Sequence, residues 1–272
     1  MYGFLRRPRW IFFTFGVILL IVLMVNLGFW QLRRLDTRKE HNAQIRERTA
    51  SAEVPLADLV KPDTPMDATA GVQWREVSAT GRYDESRQVL VRNRTYNGIP
   101  GYFVLTPLEV PGGNVVIVNR GFVPLETSGT KPNVPAAPSG VVAVNGRVRS
   151  TQKRGLFGPR DPTQGTLTEV ARADLARLQQ QMPYHLLPVY IELETSDPSE
   201  ARGITPVPLP ELDDGPHLSY AIQWFLFSAL AVVGWVLVVR KTAKGGGNVI
   251  DDEVPDGDDR SPTVVGADDT AP

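Results

Sequence analysis

Two apolar runs without one charged residue limit what this chain can fold into. Residues 11–29 (IFFTFGVILLIVLMVNLGF) form a 19-residue run bracketed by Trp10 and Trp30. Residues 219–239 (SYAIQWFLFSALAVVGWVLVV) form a second, with Tyr220, Trp224 and Trp235 near its ends. At about 1.5 Å per residue the first run covers about 28 Å as a helix, close to the hydrocarbon thickness of a bilayer. Tryptophan and tyrosine at such ends favour the headgroup level. A secretory signal peptide is the rival reading of the first run, since a basic segment precedes it. Residues 26–31 (NLGFWQ) offer no small-x-small cleavage site, so an uncleaved anchor is the better reading.

Charge orients the two spans. The net charge is −1, but residues 1–10 carry Arg6, Arg7 and Arg9, and Arg240, Lys241 and Lys244 follow the second run. Basic residues outside both outer ends place the two termini in the cytoplasm and residues 30–218 on the opposite side of the cell membrane. Arg33, Arg34, Arg38 and Lys39 run against this rule at the first span. Glu211, Asp213 and Asp214, before the second, agree with it. The expected organisation is a cytoplasmic terminus at 1–10, spans at 11–29 and 219–239, a domain at 30–218, and a cytoplasmic disordered acidic tail at 240–272. Between residues 11 and 239 the charges cancel, which argues against nucleic acid as a partner. The absence of cysteine removes disulfides, zinc-thiolate sites, iron–sulfur clusters and thiol catalysis.

The central segment reads as strands. Runs at 73–81, 88–93, 102–108, 115–119, 141–148 and 189–194 are short and β-branched. Asn97-Gly98 and Pro111-Gly112-Gly113 are turn signals. The fold expected is α+β: two transmembrane helices flanking an antiparallel β-rich domain, a sheet or partly open barrel, with one or two helices. One helix is expected at 169–182, and another carries the first span outward through 31–48. Residues 127–140, with three prolines, read as a surface loop.

Chemistry is sparse. The three histidines, His41, His185 and His217, show no metal-site spacing, and no nucleophile motif or phosphate loop is present. His217 stands at the mouth of the second span. At about 100° per residue, His217, Tyr220, Ala221 and Trp224 share a helix face. An imidazole beside two aromatic rings suits a haem, with His217 on the iron and the rings over the porphyrin. From the residues alone, an interfacial histidine bonded to headgroups or water is the better reading.

Four blocks in order resemble the surfeit-locus (Surf/Shy-type) family of cytochrome c oxidase assembly proteins, in an actinobacterial-like form. Leu27-Gly28-Phe29-Trp30-Gln31-Leu32-Arg33-Arg34 resembles its L-G-x-W-Q-x-x-R signature, and Gly81-Arg82-Tyr83 its G-x-Y segment. Arg94, Gly98, Gly101 and Tyr102, Thr106-Pro107-Leu108 and Asn119-Arg120-Gly121-Phe122-Val123-Pro124 resemble its central core; Phe122 stands where tryptophan is common. His217 to Trp224 (HLSYAIQW), including Gln223, resembles the entry to its last span. The resemblance implies an assembly factor rather than an enzyme, with the oxidase catalytic subunit and other assembly factors as partners. It also implies a role in haem a insertion, with the family histidine at His217.

Beside that resemblance, Trp30 and Trp224 are expected to pair at the outer interface as an aromatic pocket rimmed by His217. Arg33 and Arg34 suit either haem propionates or lipid phosphates. Asn119, Arg120 and Gly121 read as structural, with Gly121 in an unusual backbone conformation and Arg120 bracing a loop. Two rivals remain: a protein-interaction scaffold without cofactor, and a membrane-tethered hydrolase that requires His41 or His185 in a polar pocket.

Overall fold

The apolar runs fold as two long helices, and strands occupy most of what lies between them. The computed structural model describes residues 2–125 and 132–245. The start of the expected 127–140 loop and most of the acidic tail lie outside these. Helix α1 spans Pro8–Thr49, strand β1 Val54–Pro55 and helix α2 Leu56–Leu59. Then come β2 (Glu76–Tyr83), β3 (Val89–Tyr96), β4 (Ile99–Glu109), β5 (Val115–Pro124), β6 (Val142–Ser150) and β7 (Glu169–Val170). Helix α3 (Leu175–Gln179), strand β8 (Leu186–Asp197) and helix α4 (His217–Gly245) complete the order. The chain divides into two compact units, residues 1–38 with 214–272, and residues 39–213.

In the first unit α1 and α4 are each long and apolar enough to cross a membrane. Their shielded residues recur in steps of four and three. One such stripe on α1 holds Trp10, Thr14, Val17, Ile21, Met24, Gly28, Gln31 and Leu35, and one on α4 holds His217, Ala221, Trp224, Ser228, Ala231, Trp235, Val238 and Thr242, with further shielded residues such as Leu32, Phe225 and Val239 beside them. A repeat of about 3.5 residues is that of a left-handed coiled coil. The seam runs antiparallel. Trp235 Nε1 donates to Thr14 Oγ1 at 3.3 Å, the Phe225 ring lies over Gly28, and His217 meets Gln31. Phe12, Phe15, Leu19 and Leu23 on α1 and Ile222, Leu226 and Leu230 on α4 stay exposed, an apolar surface suited to lipid.

The second unit is built on a closed ring of strands. The sheet order is β1-β2-β6-β8-β5-β4-β3-β7, and β2 also pairs with β4 through Arg82↔Glu109 and Tyr83↔Leu108. Strands β2, β6, β8, β5 and β4 therefore form a five-membered barrel, closed at a short seam. Gly81 makes that seam possible, because a Cβ there would lie 2.2 Å from the Glu109 carbonyl oxygen. Inside the ring, Val77, Leu108, Val116, Val118, Val144, Val148, Val189 and Ile191 form one core. A second core lies on the outer face, where α3 and the chain around it cover Val91, Leu105, Ile117 and Tyr190.

The barrel matches the expected β-rich class, with three parallel pairs in an otherwise antiparallel sheet: β1–β2, β3–β7 and β5–β8. The runs in β5 and β8 are apolar on both faces, which suits buried central strands. The long connection through residues 151–185 is what lets β8 enter parallel to β5. The turn signals hold: Asn97 (φ 49°) and Gly98 (φ 78°) close the β3–β4 hairpin at Tyr96↔Ile99. The helix expected at 169–182 is shorter. Glu169 and Val170 pair with Leu90 and Val91 instead, and Asp174 then caps α3 by accepting from the Arg177 N–H. Thr49, rather than residue 48, ends the first helix.

After β8 the chain returns across β5. Phe122 and Thr205 exchange backbone hydrogen bonds at 2.7 and 2.9 Å. Gly121 sits at φ 139°, and a Cβ there would lie 2.4 Å from the Thr205 carbonyl oxygen. Gly121→Ala should therefore destabilise the protein by about 3 kcal/mol. A fall in thermal midpoint checks this, and an unchanged midpoint would contradict the packing described.

Candidate functional site

At one end of the helix seam an imidazole and an amide face each other. His217 opens α4 and Gln31 continues the shielded stripe of α1. His217 Nδ1 lies 2.9 Å from Gln31 Oε1, so the Nδ1–H donates to the amide oxygen. That contact fixes the neutral ring's proton on Nδ1 and leaves the Nε2 lone pair free. Gly215 (φ 67°) runs beside the ring, with its Cβ position 3.5 Å from Nε2. The local sequence explains the placement: Gly215-Pro216 turns the chain, the Tyr220 N–H bonds the Pro216 carbonyl, and the helix begins at His217.

The other expected site residues divide. His217, Ala221 and Trp224 share the shielded face, whereas Tyr220 is 48% exposed beside it. Trp30 is 50% exposed. The ring contacts near this end join Phe29 to Phe225 and Trp224 to Phe227. Gly28 admits the Phe225 ring, since a Cβ there would meet it at 2.7 Å. Arg33, Arg34 and Gln223 are exposed. Gln31 stood in the sequence motif, but nothing in the sequence pointed to a partner 186 residues away.

The motif residues of the β-unit have architectural contacts. Arg120 is fully buried. Its Nε and Nη2 form a fork on Glu200, with Nη2 to Oε2 at 2.6 Å. Nη1 donates to Gln88 Oε1, and Nη2 also donates to the Pro135 and Ala136 carbonyls. The Tyr83 ring lies 5.7 Å from the guanidinium. Burial, reinforced by Glu200, pushes the Tyr83 phenol up and keeps it neutral. Asn119 Oδ1 accepts from the Gly121 N–H. Gly101 lets β5 approach, as its Cβ would lie 2.2 Å from the Val123 carbonyl oxygen. Pro107 is buried in β4, opposite Ile117, and its carbonyl accepts from the Asp84 N–H. The structural reading of Asn119, Arg120 and Gly121 thus has a physical basis in these contacts.

Arg94 borders a small polar cavity of about 20 Å³ with Asn119, Gln152, Tyr190 and Glu192. That is room for about one water. Arg94 Nη2 donates to the Ala171 carbonyl, and burial depresses the guanidinium pKa. Burial, then the nearby Glu192, pushes the Tyr190 phenol up to about 12. Burial also raises the Glu192 carboxyl despite its 2.9 Å bond from Arg149, whose guanidinium stacks on Trp74 at 3.7 Å. His41 and His185 are exposed, and neither borders the cavity beside Arg94.

Two predictions follow from the β-unit. Arg120→Met strands a largely buried Glu200 carboxylate and should cost about 3 kcal/mol or more in denaturant unfolding. Glu192 has a raised folded-state pKa, so the folded chain holds its proton more tightly than the unfolded chain does. Its stabilising contribution is complete below about 4.5 and is lost as pH rises through the folded value. Glu192→Gln still accepts from Arg149 and should flatten the loss of stability between acidic and neutral pH. Unfolding midpoints across that range decide it, and an unchanged slope would exclude Glu192 as its source.

A model of the SURF1 family matches residues 18–229. An uncharacterized SURF1-like protein of Mycobacterium tuberculosis is 32% identical over 235 residues, which cover 85% of this chain and 84% of that one. A SURF1-like protein of Monosiga brevicollis is 28% identical over 239 residues, covering 84% and 86%. Surfeit locus protein 1 of Rattus norvegicus is 25% identical over 236 residues, covering 80% and 72%.

Proposed function

The chain belongs to the SURF1 family, and from that premise we propose that it is a membrane-anchored assembly factor for haem-copper cytochrome c oxidase that holds haem a at the His217 end of the helix pair. In this reading α1 and α4 cross the cell membrane with both termini in the cytoplasm. The oxidase catalytic subunit receives the haem, and the haem is cargo rather than a resident cofactor.

The observation that carries the proposal is the His217–Gln31 hydrogen bond. An imidazole whose Nδ1–H is held by an amide oxygen has its tautomer and ring plane set, and its free Nε2 is the donor that haem iron takes. Trp30, Tyr220 and Trp224 supply aromatic surface close by in sequence, and the exposed Tyr220 and Trp30 rings offer a face for an apolar macrocycle. Arg34, exposed on the same helix as Gln31, offers a guanidinium for a propionate. His217 would hold the haem through one nitrogen, which suits a cargo that has to leave. The role is one of holding and transfer, without a bond-making step.

Purification of the full chain from cells that make haem a tests this through its absorption spectrum. The wild type should carry a Soret band, and His217→Ala should lose it. Gln31→Leu should weaken haem retention by about tenfold or more, as loss of a ligand-orienting partner does, while helix content stays the same. A strain lacking the protein should make oxidase with less haem a. No Soret band, or one indifferent to His217→Ala, would overturn haem holding. If the deletion strain still lost oxidase, a scaffold without cofactor would take its place.

A further inference from the structure

Most large apolar side chains left exposed belong to the two long helices. In the β-unit the outliers are Leu156 and Phe157, at 91% and 90% exposure. The next most exposed, Val141 and Ile99, reach 56% and 52%. Leu156 and Phe157 stand at the tip of the connection between β6 and β7. Residues 153–160 read Lys-Arg-Gly-Leu-Phe-Gly-Pro-Arg, three bases and no acid, with every residue exposed.

This tip is held rather than loose. Arg154 Nε donates to the Gly158 carbonyl and its Nη2 to the Leu156 carbonyl, a turn completed by Gly158 at φ 117°. Arg172 donates to the Pro159 carbonyl at 2.6 Å. Arg177 donates to the Pro162 and Gly165 carbonyls, both at 2.8 Å. Asp161, the next acid along the chain, is engaged by Arg92 at 2.7 Å and accepts from the Ala171 N–H. Side chains from the α3 region thus anchor the base of the loop, and its two apolar residues project from it without mutual cover. Ordering is already in place before any partner arrives, which lowers the cost of docking.

We infer that residues 153–160 form a docking finger that places Leu156 and Phe157 into the headgroup–acyl boundary of an anionic membrane, with Lys153 and Arg160 on lipid phosphates. The inference rests on the membrane anchoring proposed above, since both ends of the β-unit continue covalently into the apolar helices. An apolar tip between basic residues is the pattern of interfacial insertion, and anionic lipid complements its charge. The tip is convex and presents side chains rather than a groove, so lipid, which deforms around it, suits it better than a shaped protein surface. The loop would restrain the β-unit at the bilayer while leaving His217 and Gln31 untouched.

The chain has no cysteine, so Gly155→Cys gives a unique site for a nitroxide label in the full-length protein. The added Cβ would have only ordinary contact there, 3.9 Å from the Phe157 carbonyl oxygen. The protein is reconstituted into nanodiscs of phosphatidylcholine alone or mixed equally with phosphatidylglycerol. Accessibility to oxygen is then compared with accessibility to a water-soluble nickel chelate. Docking predicts a label that favours oxygen in the mixed discs and favours the chelate in phosphatidylcholine. That preference should be lost in the mixed discs with Leu156→Ser and Phe157→Ser together, or with Lys153→Glu and Arg160→Glu together. A label at Ile222→Cys reports the anchoring separately. If that label lies in lipid while the loop label stays with the chelate in both discs, docking is overturned and anchoring stands; if both stay in water, both fall. Immobilisation of the loop label only when oxidase subunits are added, without oxygen preference, would mark a protein partner and overturn the lipid inference.

Discussion

A single guanidinium holds together parts of the β-unit that no local rule would join. Arg120 leaves β5 with no exposure to solvent, and its donors reach Glu200 beyond β8, Gln88 before β3, and the carbonyls of residues 135 and 136. Removing a guanidinium from water costs several kcal/mol unless its donors are matched, and here a forked carboxylate and two carbonyls match them. The same stretch carries Gly121, whose missing Cβ lets residue 205 lie against β5. The Asn119-Arg120-Gly121 motif therefore works as one device. Gly81 and Gly101 do the related task of letting backbones meet, Gly81 where β2 closes the ring on β4 and Gly101 where β4 runs against β5.

The helix unit follows a different physics. Its outer faces are apolar and its seam runs on a repeat of about 3.5 residues, with Gly28 admitting the Phe225 ring. The seam carries a polar contact near each end, Trp235 on Thr14 at one and His217 on Gln31 at the other. A neutral imidazole needs its N–H satisfied in such a place, and the amide supplies the acceptor. What this leaves is one unshared nitrogen lone pair at the end of an apolar helix pair. That is a small amount of chemistry, suited to holding a group and releasing it rather than to bond making.

Conserving function in so little chemistry places weight on position. The β-unit, by contrast, spends its buried charges on architecture: Arg120 with Glu200, Arg149 with Glu192, and Arg94 on the Ala171 carbonyl. Among its described residues the most exposed large apolar side chains, Leu156 and Phe157, stand on the arginine-pinned loop. Membership of the SURF1 family covers residues 18–229 and so includes both units, each with its own kind of contact.

Local periodicity carried much of this protein. Charge-free runs of membrane length determined the two helices, because a backbone in so apolar a segment bonds to itself. β-Branched runs and the Asn97-Gly98 turn determined six strands and a hairpin, because side-chain shape and positive φ act within a few residues. The four ordered blocks named the family. What tertiary structure decided was every partnership across distance: the β2–β4 closure, β8 entering parallel to β5, Glu200 on Arg120, and Gln31 on His217. It also cut the helix at 169–182 back to α3, since pairing with β3 claimed Glu169 and Val170 first. Such contacts depend on loop closure and on which surfaces the whole chain buries together, and neither leaves a periodic trace in a single sequence.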